Sequence, residues 1–351
     1  MASKITSDNP VGVIGLGSFG AAIANLLSRN SQVILYGRNP EFVKKIQTER
    51  ICSGQLLDES VEVTNDLAYL AGKCEIIFPI VPSNSFRDLM RNISSYLRPY
   101  HILIHGTKGL DVQFKSIEPD CENNEITREN VRTMSEVITE ETVVMRIGCL
   151  GGPNIAHELS DGLPAATVVA SNFDEVIQEG QRLLRSDRFQ VYGSTDLIGI
   201  ELAGVLKNII AIAAGAVSGL NLGENARGML ISRGLVEMIY LGRAMGGDVQ
   251  AFIGLAGVGD LVTTCTSELS RNYTVGFRLA SGEKIEDIIN TMEETAEGIN
   301  TIRIMKCLSR HFPLRAPITE KLYEVMYENL SAEKAVQYLM KYPLNIDVNF
   351  L

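Results

Sequence analysis

Up to Tyr192, short apolar runs alternate with stretches in which apolar residues recur every three to four positions. Val11–Leu16 and Gln32–Tyr36 read as buried strands, with a helix over Ala21–Ser28 between them. Pro40–Arg50 reads as a helix, with Pro40 in its first turn. Glu75–Val81, Tyr100–His105, Thr142–Leu150, Ala165–Ala170 and Phe189–Tyr192 are further strand candidates. Continuous apolar strands that alternate with helices predict a parallel sheet covered on both faces. The last three runs are expected to extend that sheet.

Two stretches break the rhythm. Asp111–Thr142 is polar and acidic; Arg128–Thr139 fits a helix, and the part before it reads as a surface insertion. From Asp196 the spacing becomes helical throughout, over Asp196–Gly219, Gly228–Met245, Ile285–Glu294, Asn300–Ser309 and Thr319–Tyr327. The predicted fold class is therefore α/β. A doubly wound Rossmann-type domain is expected over residues 1–194 and an all-α domain over 195–351. A chain of 351 residues suits two domains at roughly 100–200 residues each.

Composition narrows the partners. Apolar residues make up 45% and charged residues 21%, which is ordinary for a globular chain. The net charge of −10 disfavours nucleic acid and anionic lipid. An anionic substrate would need a local cluster of Lys and Arg. The six cysteines include no C-x-x-C pair and no histidine at zinc spacing, so no metal site is expected, and a reduced chain fits best. Met1–Pro10 has no apolar core of a secretory signal, and the run Ile209–Leu220 is short for a membrane span. A cytoplasmic protein with no membrane span is the expectation.

Gly15-Leu16-Gly17-Ser18-Phe19-Gly20 matches G-x-G-x-x-G, follows a strand and opens a helix, the context of a dinucleotide cradle. Gly15 suits the tight turn, Gly17 the approach of a pyrophosphate, and Gly20 close helix–strand packing. The helix start offers N–H groups to the anion. The second strand ends in Tyr36-Gly37-Arg38-Asn39-Pro40, with no acid for a ribose 2′-hydroxyl before Glu41. Arg38 suits a 2′-phosphate, so NADP is expected, or both NADP and NAD; a solvated loop arginine is the alternative. Phe78, Pro82 and Phe86 are candidates to border the nicotinamide, with Phe78 equally suited to the core.

Three further segments carry chemistry. Lys108 sits in His105-Gly106-Thr107-Lys108-Gly109-Leu110, just after a strand. Lys207 lies in Val205-Leu206-Lys207-Asn208-Ile209-Ile210, inside a nearly all-apolar helix. Asp260 follows Gly257-Val258-Gly259 and precedes Thr264, with Ser270-Arg271-Asn272 beyond. A lysine among apolar residues on every helix face buries its stem. If the ammonium is desolvated too, its pKa falls towards neutrality, which suits proton transfer. Snorkelling to the surface is the other reading.

These motifs, with Gly152-Pro153-Asn154-Ile155-Ala156 and Glu297-Gly298, occur in an order that resembles the NAD(P)-dependent glycerol-3-phosphate dehydrogenase family. The resemblance covers most of the chain from Val11 to Tyr327. It implies a 6-phosphogluconate-dehydrogenase-like arrangement of domains. It implies reversible reduction of dihydroxyacetone phosphate to sn-glycerol 3-phosphate, with NADP or NAD, supplying glycerophospholipid synthesis. On this resemblance Lys207 exchanges the proton at the C2 oxygen, Lys108 lies beside substrate and cofactor, and Asp260 and Thr264 assist Lys207. Gly152, Asn154, Asn208, Ser270, Arg271 and Asn272 are implied to bind substrate. Gly15, Gly17, Ser18, Phe19, Gly20, Arg38, Ala156, Arg271 and Glu297 are implied to bind cofactor. A homodimer is admitted but not required.

The chain departs from bacterial relatives at Asn154 and His157. Asn154 also suits a helix N-cap, and His157 reads as a surface residue. Two other readings stay open. A related hydroxy acid or ketopantoate dehydrogenase would share the cradle but leave Lys108 and Ser270–Asn272 unexplained. A dinucleotide sensor without chemistry would not need Lys207 in an apolar helix.

Overall fold

The computed structural model describes residues 9–112, 126–292, 294, 296–310 and 316–342. The chain gathers into two compact units, Met1–Thr107 with Met134–Leu197, and Lys108–Thr133 with Ile198–Leu351. The segment Lys108–Thr133 thus belongs with the helical unit, which a single division after residue 194 does not capture. Of the expected insertion and helix, the described part holds a short helical turn over Arg128–Asn130 and a helix over Met134–Glu141. Most of the insertion lies outside the described residues.

The first unit is built on eight strands. Across the sheet they run Phe189–Ser194, Ala165–Ser171, Arg146–Gly151, Ile102–His105, Ile76–Pro79, Val11–Ile14, Val33–Tyr36 and Val61–Thr64. Six of the seven pairings are parallel; Arg146–Gly151 and Ala165–Ser171 run antiparallel. The central strands VGVI, VILY, IIFP and ILIH are buried at every residue, as a sheet covered on both faces demands. Two apolar cores result, one on each face. Phe78 and Phe86 belong to these cores and are 0% exposed, so neither borders a ligand. Phe78 is held inside its strand, and Phe86 is turned inward against the His105 ring at 5.8 Å. Pro82 is exposed.

The second unit is helical among the described residues, apart from the two-residue strands Asp111–Val112 and Val131–Arg132. Its longest helix, Leu197–Gly219, is long and apolar enough to cross a membrane by those criteria alone. Its most apolar stretch is 94% buried inside the protein, so the structure uses it as a core helix. It crosses Arg271–Ala280 at backbone contact: a Cβ on Gly276 would lie 1.7 Å from the Ile212 carbonyl oxygen. Glu237, on Gly223–Ala244, caps the helix Pro317–Tyr327 by accepting from the Ile318 and Thr319 N–H groups, both at 2.9 Å, and from Thr319 Oγ1 at 2.6 Å. Burial pushes this carboxyl up to about 7, against the three donors that favour its charge.

Cys52, Cys74, Cys149 and Cys265 are free and buried.

Candidate active site

In the first unit the glycine loop leads from Val11–Ile14 into the helix Ser18–Leu27. Gly15 has φ +128°, and a Cβ there would lie 2.0 Å from the Ile80 carbonyl oxygen. A Cβ on Gly20 would lie 2.1 Å from the Gly15 carbonyl oxygen, so helix and loop touch backbone to backbone. Gly17 is different: a Cβ there meets nothing within 4 Å. One glycine makes the turn, one lets the helix approach, and the middle one faces open space where a pyrophosphate fits. Gly17 also occupies the N-cap without a side-chain cap, and no acidic residue stands in the first turn. The partial positive charge of the helix start is therefore not offset by a local acid. The cradle fits a dinucleotide.

The neighbours of the cradle follow. Phe19 and Ile80 both lie against Gly106. Ala156 opens the short helix Ala156–Ser160, which packs beside Ser18–Leu27. Arg38 is exposed just beyond Val33–Tyr36, while Asn39 caps the next helix through the Glu41 and Phe42 N–H groups. Asn154 is not a helix cap, since Ile155 holds that place. Its amide donates to the Gly152 carbonyl at 3.0 Å and to Thr167 Oγ1 at 3.1 Å. Its Oδ1 is buried with no donor. Gly152, at φ +131°, makes the turn that brings Asn154 back onto the sheet. His157 is a surface residue paired with Asp161 at 3.0 Å.

In the second unit two lysines share one buried carboxylate. Lys207 Nζ donates to Asp260 Oδ1 at 2.6 Å and to Thr264 Oγ1 at 2.5 Å; Lys108 Nζ donates to Asp260 Oδ2 at 2.6 Å. Thr264 in turn donates to the Asp260 carbonyl at 2.6 Å, which turns its lone pairs towards Lys207. The side chains of Lys207 and Asp260 are 7% and 2% exposed, that of Lys108 20%. The Lys108 stem lies across Gly204, one turn before Lys207 on the same helix. Asp260 follows a π-helical turn over Leu255–Gly259, a distortion frequent at functional sites.

Burial pushes Lys207 down to about 8; the Asp260 carboxylate opposes this and the Lys108 ammonium adds to it. Burial would raise Asp260, yet the Lys108 and Lys207 ammoniums outweigh it and hold the carboxyl below its usual range. Burial pushes the neighbouring Cys265 thiol up to about 12, so it stays protonated and inert. The arrangement holds a proton on Lys207 loosely enough to give it away near neutral pH.

A relay of amides joins this helix to two others. Asn272 Nδ2 donates to Asn208 Oδ1 at 3.0 Å, and Asn272 Oδ1 accepts from the Gly298 N–H at 3.0 Å. Residues 207, 271 and 297 are each adjacent in sequence to a member of that relay. The structure thus brings Lys207, Arg271 and Glu297 into one neighbourhood of the second unit, together with Lys108. Asn208 and Asn272 share one hydrogen bond, and Asn208 Nδ2 donates back to the Gly204 carbonyl at 3.4 Å. Ser270 is the N-cap of Arg271–Ala280 and accepts from the Tyr273 N–H. Arg271 is half exposed and pairs with Glu294 at 3.0 Å. The relay, the π-helical turn and the Glu237 cap were not foreseen from the sequence.

The matches to known proteins agree with this geometry. The family described as NAD-dependent glycerol-3-phosphate dehydrogenase N-terminus matches residues 10–177, and its C-terminus counterpart matches residues 196–337. Glycerol-3-phosphate dehydrogenase (NAD(P)+) of Pseudomonas putida is 37% identical over 99% of this chain and 98% of its own length. The crystal structure of glycerol-3-phosphate dehydrogenase from Coxiella burnetii superposes with a TM-score of 0.86 at 31% identity, covering 96% of this chain and all of that one. The Plasmodium falciparum enzyme shares the fold at a TM-score of 0.83 and 19% identity, over 97% of each chain. A glycine cradle on a parallel sheet, a helical unit with two lysines on one buried aspartate, and these matches over both halves establish that the chain belongs to the NAD-dependent glycerol-3-phosphate dehydrogenase family.

Proposed function

We propose that the protein catalyses the NAD(P)-linked, reversible interconversion of dihydroxyacetone phosphate and sn-glycerol 3-phosphate. The observation that carries this is the pair Lys207 and Lys108 on the buried Asp260. When bound, the nicotinamide supplies or accepts the hydride at C2. The chain's own residues handle charge and proton. As negative charge grows on the C2 oxygen, the Lys207 ammonium stabilises it and then gives up a proton. Two of the three ammonium N–H bonds are spent on Asp260 and Thr264, which leaves one for that oxygen. Lys108 holds Asp260 ionised and adds positive potential. Glycerol 3-phosphate oxidation runs the same steps backwards, with neutral Lys207 as base.

Arg271 offers the substrate phosphate a planar fork. Its exposed pair with Glu294 is worth only about 0–1 kcal/mol, so a phosphate can displace it. Arg38, where an acid would read the ribose 2′-hydroxyl, favours acceptance of NADP as well as NAD. The setting is cytoplasmic, and the product feeds glycerophospholipid synthesis. A carboxylate-substrate dehydrogenase is not favoured, because it leaves Lys108 and Arg271 without a task. Steady-state kinetics with dihydroxyacetone phosphate, run with NADH and NADPH in parallel, is the direct test. No turnover with either would sink the reading.

Two results follow. Reduction needs protonated Lys207, so kcat/KM for dihydroxyacetone phosphate should be level below pH about 8 and fall above it, by about tenfold per pH unit. Oxidation needs neutral Lys207 and should rise with pH and level off above the same point. Lys108→Met removes a neighbouring cation, so the inflection should move to higher pH in both directions. A profile unchanged in Lys108→Met would dissociate it from Lys207.

For Arg271→Ala, kcat/KM on dihydroxyacetone phosphate should fall by roughly 10–100-fold, the worth of a hydrogen bond to a charged group. Dihydroxyacetone, which lacks the phosphate, should already be poor and should lose much less. Equal proportional losses on both substrates, with a lowered Tm, would mark Arg271 as structural.

A further inference from the structure

The hairpin Ile51–Cys52 and Gln55–Leu56 has no part in the chemistry above, yet its side chains grip the glycine loop from behind. Ser53 Oγ donates to the Leu16 carbonyl at 2.8 Å, and Cys52 Sγ donates to the same oxygen at 3.2 Å. Gln55 Nε2 donates to the Ser18 carbonyl at 2.9 Å. The hairpin is itself tied down through Asn25, whose Nδ2 donates to the Leu56 carbonyl and whose Oδ1 accepts from the Asp58 N–H, both at 2.9 Å. Cys52 is fully buried, and that burial pushes its thiol up to about 11, so it remains a donor.

Peptide geometry gives these bonds a consequence on the other side of the loop. The described peptides are all trans. In a trans peptide the C=O and the following N–H lie in one plane and point in opposite directions. Holding the Leu16 carbonyl therefore aims the Gly17 N–H away from the hairpin. Holding the Ser18 carbonyl does the same for the Phe19 N–H. Both N–H groups belong to the start of the helix Ser18–Leu27, where an anion is received. The Leu16–Gly17 peptide is also the one most free to turn over, because Gly17 accepts positive φ without a Cβ clash. Turned over, it would present a carbonyl oxygen to a phosphate.

We propose that the hairpin Ile51–Leu56 braces the dinucleotide cradle, with Ser53 and Gln55 as positioning residues that hold the Leu16–Gly17 and Ser18–Phe19 peptides with their N–H groups towards the pyrophosphate. The proposal rests on the reading of the first unit as dinucleotide-binding. Ser53 is well suited to a test. It has φ +48°, which glycine adopts more readily than serine, so Ser53→Gly deletes the hydroxyl without straining the turn.

The experiment titrates the full chain with NADH and with NADPH, for wild type, Ser53→Gly, Gln55→Ala and the double variant, with Tm recorded for each. Each single change should weaken both dinucleotides by roughly twofold to tenfold, the span of one lost hydrogen bond, and the double variant by about tenfold or more. Ser53→Gly should keep its Tm. At saturating dinucleotide, kcat and the KM for dihydroxyacetone phosphate should stay at wild-type values, so that only the dinucleotide KM moves. A double variant that binds as tightly as wild type overturns the brace and leaves the dinucleotide reading standing. A loss of affinity that merely tracks a loss of Tm, or that moves kcat and both KM values together, overturns it in favour of a general packing role. A wild type that binds neither dinucleotide removes the reading and the brace with it.

Discussion

Lys207→Ala should lower kcat by at least about 10²–10⁴-fold, the usual worth of a general acid, with lost charge stabilisation added to that. The fold should survive, for a reason visible in the site. Asp260 keeps its bond to Lys108 at 2.6 Å, so no buried carboxylate is left without a cation. What the alanine variant does lose is the packing of the lysine stem, because residue 207 is 6% exposed and sits among Leu202, Ala203, Leu206 and Ala211, all fully buried. Lys207→Met restores most of that volume without the charge. The two variants should therefore differ in Tm and agree in kcat. Titration with NADH should give near wild-type affinity for both, because the cradle belongs to the other unit. A methionine variant with more than about a tenth of wild-type kcat would exclude Lys207 as the proton donor, since a loss below about tenfold falls short of what a general acid contributes.

How much of this was legible in the sequence depends on how local the cause is. The glycine motif was, because each glycine answers a demand made within a few residues: a turn at Gly15, open space at Gly17, a close approach at Gly20. The burial of Lys207 was legible for a similar reason, since an apolar helix offers no polar face to carry the stem outward. The strand Val61–Thr64 was missed: it is a four-residue edge strand buried only at alternate positions. The geometry around Asp260 was out of reach of periodicity. Lys108 and Lys207 stand 152 and 53 residues from it, and only the fold brings them together. Their grouping came from the resemblance, as did Ser270 and Asn154. For those two the structure adds a task that spacing did not favour, a helix cap for Ser270 and a bond to the sheet for Asn154. The hairpin at Ile51–Leu56 was invisible because its bonds run to backbone carbonyls, which every sequence has.

The carboxylate at the centre should matter for stability as well as rate, and Asp260→Asn separates the two. Two ammonium groups, each 2.6 Å from a different oxygen of one carboxylate, would then face a neutral amide whose Nδ2 is itself a donor. Breaking a buried pair in this way costs about 3–5 kcal/mol. The molecule has one way to reduce that cost, which is to release the Lys207 proton. Its pKa, already down at about 8, should fall further once the carboxylate that supports it is gone. A base whose folded pKa lies below its unfolded value binds fewer protons when folded, so stability rises with pH across that gap. The deficit against wild type should thus be fullest below the variant's lowered pKa and shrink as pH rises towards about 8, where wild-type Lys207 also begins to lose its proton. Reduction of dihydroxyacetone phosphate at neutral pH should fall by about 10³-fold or more, because a neutral lysine neither stabilises the growing charge nor donates a proton. Adding Lys108→Met to Asp260→Asn removes one of the two facing cations and should return part of the lost stability. It should return only a small part of the activity, since losing the Lys108 cation lets Lys207 regain some of its proton while Lys207 stays without its carboxylate. Effects that simply add in the double variant, or a Tm deficit with no dependence on pH, would mean that the two lysines do not share Asp260 in solution.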